Sequence, residues 1–250
     1  MPNMTPNMTP SVTPSVTPSV ENPSWPPPPQ RAALILQQLG QLYPDARCSL
    51  DWRNPFELLV ATILSAQCTD QRVNRVTPAL FDRFPDAASF AAVEPEQVEP
   101  YVRSTGFYRS KARHIVGTSR LLLERHQGRV PKSMEALLQC PGVARKTANV
   151  VLATAYGFRS GVTVDTHVRR LSNRLGLVAA TDPARIEMEL MALLPQSDWD
   201  LLSIRLIFHG RAVCKARRPA CGRCSLADLC PSSAPESMDT EPQRAPLTRI

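Results

Sequence analysis

Residues 138–149, LQCPGVARKTAN, decide how the rest of the chain is read. A short apolar run stops at Pro141-Gly142, a helical pattern begins at once, and Lys146 falls in the first turn of the new helix. That turn is the positive end of the helix dipole, so a lysine there runs against the usual preference. With its flanks the stretch reads SMEALLQCPGVARKTANVVLATAYG. It predicts a short helix from about Ser133, a tight turn over Pro141 to Ala144, and a second helix with Ala148, Val151, Leu152 and Ala155 on one face. Two helices joined by a glycine-containing hairpin leave backbone N–H groups at the start of the second, all aimed one way. Such donors suit phosphate whatever the base sequence. An ordinary αα-hairpin inside a helical core is the commoner use of such a turn, so the stretch alone leaves both uses open.

Outward from the hairpin, the pattern is helical almost throughout. In NPFELLVATILSAQ, Asn54 is a good N-cap, Pro55 suits the first helical position, Glu57 is placed for a capping box, and Phe56, Leu59, Val60 and Ile63 share a face. A second helix is expected over residues 108–126, ended by Gly128. Asp182-Pro183 opens another, and Ser197 is expected to cap the run through Ala212. GVTV at 161–164 is strand-like but too short to build a sheet, so the fold class is all-α. Residues 1–30 repeat with period four and hold 10 of the 25 prolines, which predicts a disordered or polyproline-like tail; residues 231–250 read as a second loose tail.

The net charge of +7 is unevenly placed. Each tail carries −1, leaving +9 on the segment between, and a basic body with neutral tails fits a polyanionic partner, nucleic acid first. No apolar run approaches the ~20 residues of a membrane span, and no export signal is evident, so an intracellular protein with no membrane partner is expected. Of seven cysteines, Cys214, Cys221, Cys224 and Cys230 lie within 17 residues with spacing C-x6-C-x2-C-x5-C. Clustering on that scale points to a metal site, either tetrahedral zinc or a 4Fe-4S cluster, and the compactness of the run leans towards iron and sulfur. Cys48, Cys68 and Cys140 lack partners at ligand spacing.

A second stretch, TVDTHVRRLSNRLG, places Asp165 before a helix whose apolar face is Val168, Leu171 and Leu175; on its own, N-capping is the safer reading of that aspartate. Taken with the hairpin, with NPFELLVATILSAQCTD and with GFYRSKARHI, this stretch resembles the helix-hairpin-helix DNA glycosylases. The run from about 31 to 230 looks like the endonuclease III family. The resemblance implies two α-helical domains with a DNA-binding cleft between them. One would span 52–163, with six helices including the hairpin, and the other would combine 31–51 with 164–230. It also implies a monomer acting on duplex DNA that carries damaged bases or abasic sites, in the cytoplasm at a bacterial nucleoid.

By the same resemblance Lys146 is the nucleophile and Asp165 the essential acid or base, while Cys214, Cys221, Cys224 and Cys230 hold a 4Fe-4S cluster. Gln67 would fill the hole left by a flipped base and Phe107 would wedge the opposite strand; a helix-end polar residue and a core aromatic are their bland alternatives. Asp70 more often caps a helix but would lie near the active site, and His167 would contact DNA or pack beside Asp165. Gly142, Val143, Ala144 and Arg145 would bind phosphate, as would Lys215, Arg217 and Arg218 in the loop between the first two cysteines. Some of that loop's positive charge would offset the negative cluster.

A lysine is what strand-cutting chemistry requires. An amine attacking C1′ leaves an imine, which acidifies the C2′ hydrogen so that the 3′ phosphate departs by β-elimination. The amine must be neutral to attack, and the helix end, Arg145 and burial in the cleft are all expected to disfavour the ammonium form. Ala144 stands where the family pattern usually has a second glycine, Phe107 where leucine is common, and Cys140 where an apolar residue is usual; weaker or altered DNA contact is expected from the first. The expected activity is removal of oxidised pyrimidines with cleavage of the abasic strand. The alternatives are a different base specificity, such as adenine opposite oxidised guanine, and a non-catalytic DNA-binding protein.

Overall fold

A computed structural model describes residues 25–233, and these are helical without a strand. The chain runs through α1 (Pro28–Leu42), α2 (Pro55–Leu64), α3 (Asp70–Arg83), α4 (Ala87–Ala91), α5 (Pro95–Val102), α6 (Tyr108–His126), α7 (Met134–Leu138), α8 (Arg145–Tyr156), α9 (Thr166–Arg174), α10 (Pro183–Leu193) and α11 (Trp199–Ala212), with short 3₁₀ turns between and after them. The stretch 161–164 is an irregular connection, held where the Thr163 N–H donates to Ser203 Oγ at 3.0 Å. Seven α-helices fall within 52–163 where six were expected, and two of them, α4 and α7, are only 5 residues long. No helix among the described residues is long and apolar enough to cross a membrane.

Local capping explains most boundaries. The Asn54 side chain accepts from the Glu57 N–H at 3.0 Å, and Asp182 accepts from the N–H groups of Ala184 and Arg185. Each such cap is worth about 1 kcal/mol. The expected capping box is shifted by one residue: Glu57 takes the Arg53 N–H at 2.8 Å, and Arg53 also grips that carboxylate as an ion pair. α6 ends as expected, with Gln127 and Gly128 both in left-handed conformation. Ser197 does not cap α11; a 3₁₀ turn over Gln196–Asp198 precedes the helix, and Ser197 donates to the Asp198 carboxylate instead. α1 begins at Pro28, inside the expected tail, because proline is well suited to a first turn where no N–H is needed. The remaining tail residues, 1–24 and 234–250, lie outside the described residues.

Two hydrophobic cores result. The first draws on Leu50 through Leu152, with Leu58, Leu59, Leu64, Phe84, Phe90, Ile115 and Leu137 almost fully buried. Truncating any of these leucines to alanine should cost about 2–5 kcal/mol. The second joins one face of α1 (Ala32, Ile35, Leu36, Leu39) to residues from Val162 to Leu229. The chain crosses from one core to the other after α8, and that crossing brings the two halves of the site together.

Candidate functional site

Between the cores lies a cavity of about 670 Å³. α8 turns Lys146, Val150, Ala153 and Thr154 into it at helical spacing, while Ala148, Val151 and Leu152 on another face enter the first core. From the second core come Asp165 and one face of α11: Asp200, Ser203, Ile204, Ile207 and Arg211. Gln67 and Asp70 line the same space, as do Arg47, Cys48 and Ser49 from the connection after α1. Lys146 and Asp165 thus share one cavity although they belong to different halves of the molecule.

α8 starts at Arg145 with Ala144 as N-cap, and no side chain caps it. The Val143 N–H is used within the hairpin, donating to the Cys140 carbonyl at 3.1 Å, so the unclaimed donors are those of the first helical turn. Gly142 is required here: its φ is +77°, and a Cβ would lie 2.7 Å from the His114 ring. Ala144, with φ −92° and ψ 170°, is extended backbone that any residue adopts, so its methyl group imposes no dihedral restriction. Lys146 is exposed, contrary to the burial expected of it, because the first turn of α8 opens onto the mouth of the cavity. Nor is the Arg145 charge directed at Lys146. Its Nε donates to Glu187 Oε2 at 2.7 Å, since Glu187, on α10, is only 6% exposed and needs a cation. Glu187 also accepts from Asn149 Nδ2 at 3.0 Å, and Asn149 in turn accepts from Ser160. Gly161 lets this carboxylate approach, for a side chain there would collide with it.

Asp165 caps α9 as its local sequence suggests. Its Oδ1 accepts from the N–H groups of His167 and Val168, both at 2.8 Å, and among the described residues Oδ2 takes no partner. The His167 ring is half-buried, with Nδ1 3.1 Å from the Arg170 guanidinium, which also donates to the Cys214 carbonyl at 2.9 Å. Burial above all lowers the His167 pKa, with Arg170 and Arg211 adding to the effect and Asp165 opposing it. Asp70 is not the cap of α3; Thr69 is, and the Asp70 carboxylate instead accepts from Ser49 and, at 3.1 Å, from Arg211.

Phe107 is not the core aromatic of its bland alternative, whereas Gln67, three residues past the end of α2, still fits a helix-end polar residue. Both are exposed, Phe107 by 67%, and both adopt left-handed backbone conformations, with φ of +53° and +48°. A non-glycine residue in that region costs on the order of 1–3 kcal/mol and tends to persist at functional positions.

The four clustered cysteines line a second cavity, of about 150 Å³, with Leu171, Leu175, Val213 and Leu226. Four thiols lining one cavity are a donor set that suits a polynuclear iron-sulfur group. Burial pushes the Cys224 and Cys230 thiols up and the neighbouring cysteines add to it, so four thiolates here require cationic charge among them. Arg174, not the 215–218 loop, meets a sulfur: its Nη1 donates to Cys214 Sγ at 3.3 Å and to the Lys215 carbonyl, while Nη2 holds the Ala216 carbonyl. Lys215, Arg217 and Arg218 stay exposed. His209 lies behind the site, Nε2 3.3 Å from Cys224 Sγ and Nδ1 3.2 Å from the Tyr43 hydroxyl. Glu187, Arg174 and His209 escaped the sequence reading, since no local spacing marks a partner some 40 residues away or at Tyr43, just past the end of α1.

The chain matches known proteins in sequence and in fold. The sequence model of the HhH-GPD superfamily base excision DNA repair proteins matches residues 60–196, and that of the iron-sulfur binding domain of endonuclease III matches 214–230. The chain is 62% identical to endonuclease III of Synechocystis sp. over 204 residues, covering 82% of this chain and 93% of that one. It is 41% identical to endonuclease III of Escherichia coli over 196 residues, covering 78% and 92%. A solved non-covalent endonuclease III–DNA complex superposes with a TM-score of 0.78 at 43% identity, covering 82% of this chain and 96% of that one. A trapped endonuclease III–DNA covalent intermediate superposes equally well. With these matches in both sequence and fold, the chain belongs to the endonuclease III family of the HhH-GPD superfamily.

Proposed function

We propose that this chain is a base excision DNA glycosylase that removes oxidised pyrimidines from duplex DNA and then cleaves the abasic strand as a lyase. The observation that carries the chemistry is the meeting of Lys146 and Asp165 in one cavity large enough for a flipped nucleotide. The Lys146 amine, once neutral, attacks C1′; the bond to the base breaks, and the base leaves with its electron pair. Loss of a proton from the attached nitrogen and opening of the sugar give an imine. Removal of a C2′ proton then expels the 3′ phosphate oxygen with the C3′–O electrons, which cuts the strand. Asp165 Oδ2 is the group to take the proton from the amine and to face the cationic sugar, while Oδ1 stays committed to α9.

Docked DNA would cover the exposed lysine and supply the enclosure that the free protein lacks. The first-turn amides of α8, from Arg145 onward, take a phosphate together with the Gly142–Ala144 turn, and Lys215, Arg217 and Arg218 add exposed charge. Gln67 and Phe107 enter the base stack from two separate loops, with Asp70 and His167 at the cavity edge. Cys214, Cys221, Cys224 and Cys230 hold the 4Fe-4S cluster, which when bound supplies a negatively charged cross-link through residues 214–230. The domain division we favour is 52–163 against 31–51 with 164–230, which follows the two cores except that Leu50 packs in the first and Val162 in the second, and the protein acts as a monomer on DNA in the bacterial cytoplasm.

The test is covalent trapping. Duplexes carrying thymine glycol or an abasic site are incubated with the protein and borohydride, with Lys146→Ala as control. A protein–DNA adduct from the parent and none from the variant is expected; an undiminished adduct from the variant would defeat the mechanism.

A further inference from the structure

Lys111, in the first turn of α6, is a lysine only 4% exposed. Among the described residues it has no carboxylate partner. Its ammonium donates to the Leu64 carbonyl at 2.8 Å and to the Thr105 carbonyl at 2.7 Å. Leu64 is the last residue of α2, and Thr105 the last of the 3₁₀ turn Arg103–Thr105. Carbonyls at helical C-termini lack intrahelical partners and carry partial negative charge, so a cation between two of them makes charge-assisted bonds to both.

What lies beyond those carbonyls gives the contact its meaning. Three residues after Leu64 comes Gln67, and two after Thr105 comes Phe107, the exposed residues held in left-handed conformation. Burying a lysine without a counter-charge opposes folding, and desolvation indeed lowers the Lys111 pKa. A methionine would fill the same space at lower desolvation cost, so packing alone does not account for a lysine. The two carbonyl bonds do.

We propose that Lys111 is a positioning residue that couples the Gln67 and Phe107 loops, fixing their spacing so that both side chains meet the duplex together. The proposal rests on the reading of Gln67 and Phe107 as residues that enter the base stack. Lys111 touches neither DNA nor the reacting atoms; it acts through the two loops.

The experiment uses the full chain with its cluster and the variants Lys111→Met and Lys111→Arg. Amide hydrogen exchange in Lys111→Met should quicken about tenfold over residues 65–69 and 105–108 together and hold elsewhere in the first core; no change in these segments overturns the coupling, whatever happens on DNA. Single-turnover excision from a thymine glycol duplex should fall about tenfold, while borohydride trapping on a single-stranded abasic oligonucleotide, which needs no base flipping, stays within about twofold. Equal losses on both substrates would mean a general structural role and overturn the proposal. In a Gln67→Ala/Phe107→Ala background, Lys111→Met should add less than about twofold, and a full tenfold further loss also overturns it. Lys111→Arg, which can bond both carbonyls, should recover most of the duplex activity. If Gln67→Ala and Phe107→Ala have no effect on duplex excision, the insertion reading fails by itself, and the exchange measurement still judges the coupling. Should Lys111→Met not fold, Lys111→Gln, able to satisfy at least one carbonyl, carries the same exchange and activity arms.

Discussion

Asp165 is both a helix cap and a cavity carboxylate, and two substitutions separate the roles. Both capping bonds fall on Oδ1, at 2.8 Å to the N–H groups of His167 and Val168, leaving Oδ2 for the cavity. Asp165→Asn keeps an oxygen where Oδ1 stands, and asparagine caps as well as aspartate, so stability should fall by less than about 1 kcal/mol, the electrostatic part of a carboxylate at a helix N-terminus. Asp165→Ala strands two amides and should cost about 1–2 kcal/mol, or about 3–6 °C in melting temperature for a chain of this size. If Oδ2 stabilises charge in the reaction, both variants should lose about 10²–10³ in single-turnover excision, the scale of removing one oriented electrostatic partner. Thermal melts read beside single-turnover rates on a thymine glycol duplex make the comparison. An Asp165→Asn protein that melts near the parent and excises within tenfold of it would reduce Asp165 to a cap and refute the reasoning.

The uncapped start of α8 predicts that Ala144→Ser raises stability by about 1 kcal/mol in denaturant unfolding while weakening duplex binding in a filter or anisotropy assay, because the serine oxygen claims an amide otherwise offered to phosphate. Glu187→Ala should destabilise by about 1–3 kcal/mol, chiefly through the stranded, buried Asn149 amide, since half-exposed Arg145 can rehydrate; urea unfolding measures this. Neutralising Lys215, Arg217 and Arg218 together should flatten the dependence of log affinity on log salt by up to about 2.7 if each contacts a phosphate, and an unchanged slope would remove the loop from the interface. His167, whose pKa is lowered on folding mainly by burial, binds a proton more readily in the unfolded chain. Its contribution is therefore undiminished above about pH 6.5 and lost as pH falls below that value towards the folded pKa; His167→Asn should remove that component of the acid slope in melts between about pH 5 and 7.

Much of the framework is legible locally. The caps at Asn54, Asp165 and Asp182 are read from a polar residue ahead of an apolar period, and the hydrogen bond that makes each cap spans at most three residues. The hairpin and the four cysteines are legible for the same reason: their spacing is short. What spacing does not show is where long side chains end. Arg145 beside Lys146 looks like a neighbouring charge, yet it reaches across to Glu187 on α10. Arg217 and Arg218 look like the counter-charge for the cysteines, but Arg174 meets the sulfur. The left-handed backbone at Gln67 and Phe107 has no glycine or asparagine at either position to announce it. Ser197 and Glu57 show the lesser failure, in which the residue type is right for a cap and the register shifts by a position.

The two cores also set an order of events during synthesis. Every buried residue of the first core lies between Leu50 and Leu152, so that half has all its parts once α8 leaves the ribosome. The second core pairs Ala32, Ile35 and Leu39 with side chains that begin only at Val162 and run to Leu229, so α1 must wait through the whole of the first core before its partners are made. During that wait its apolar face has no native partner, a state in which chains aggregate or are handed to chaperones. The hairpin with Lys146 therefore matures early, whereas Asp165, α11 and the cysteine loop close over it last. A nascent or truncated chain would hold Lys146 without Asp165 and α11 opposite it, so on the proposed mechanism strand cutting would wait until the second core closes.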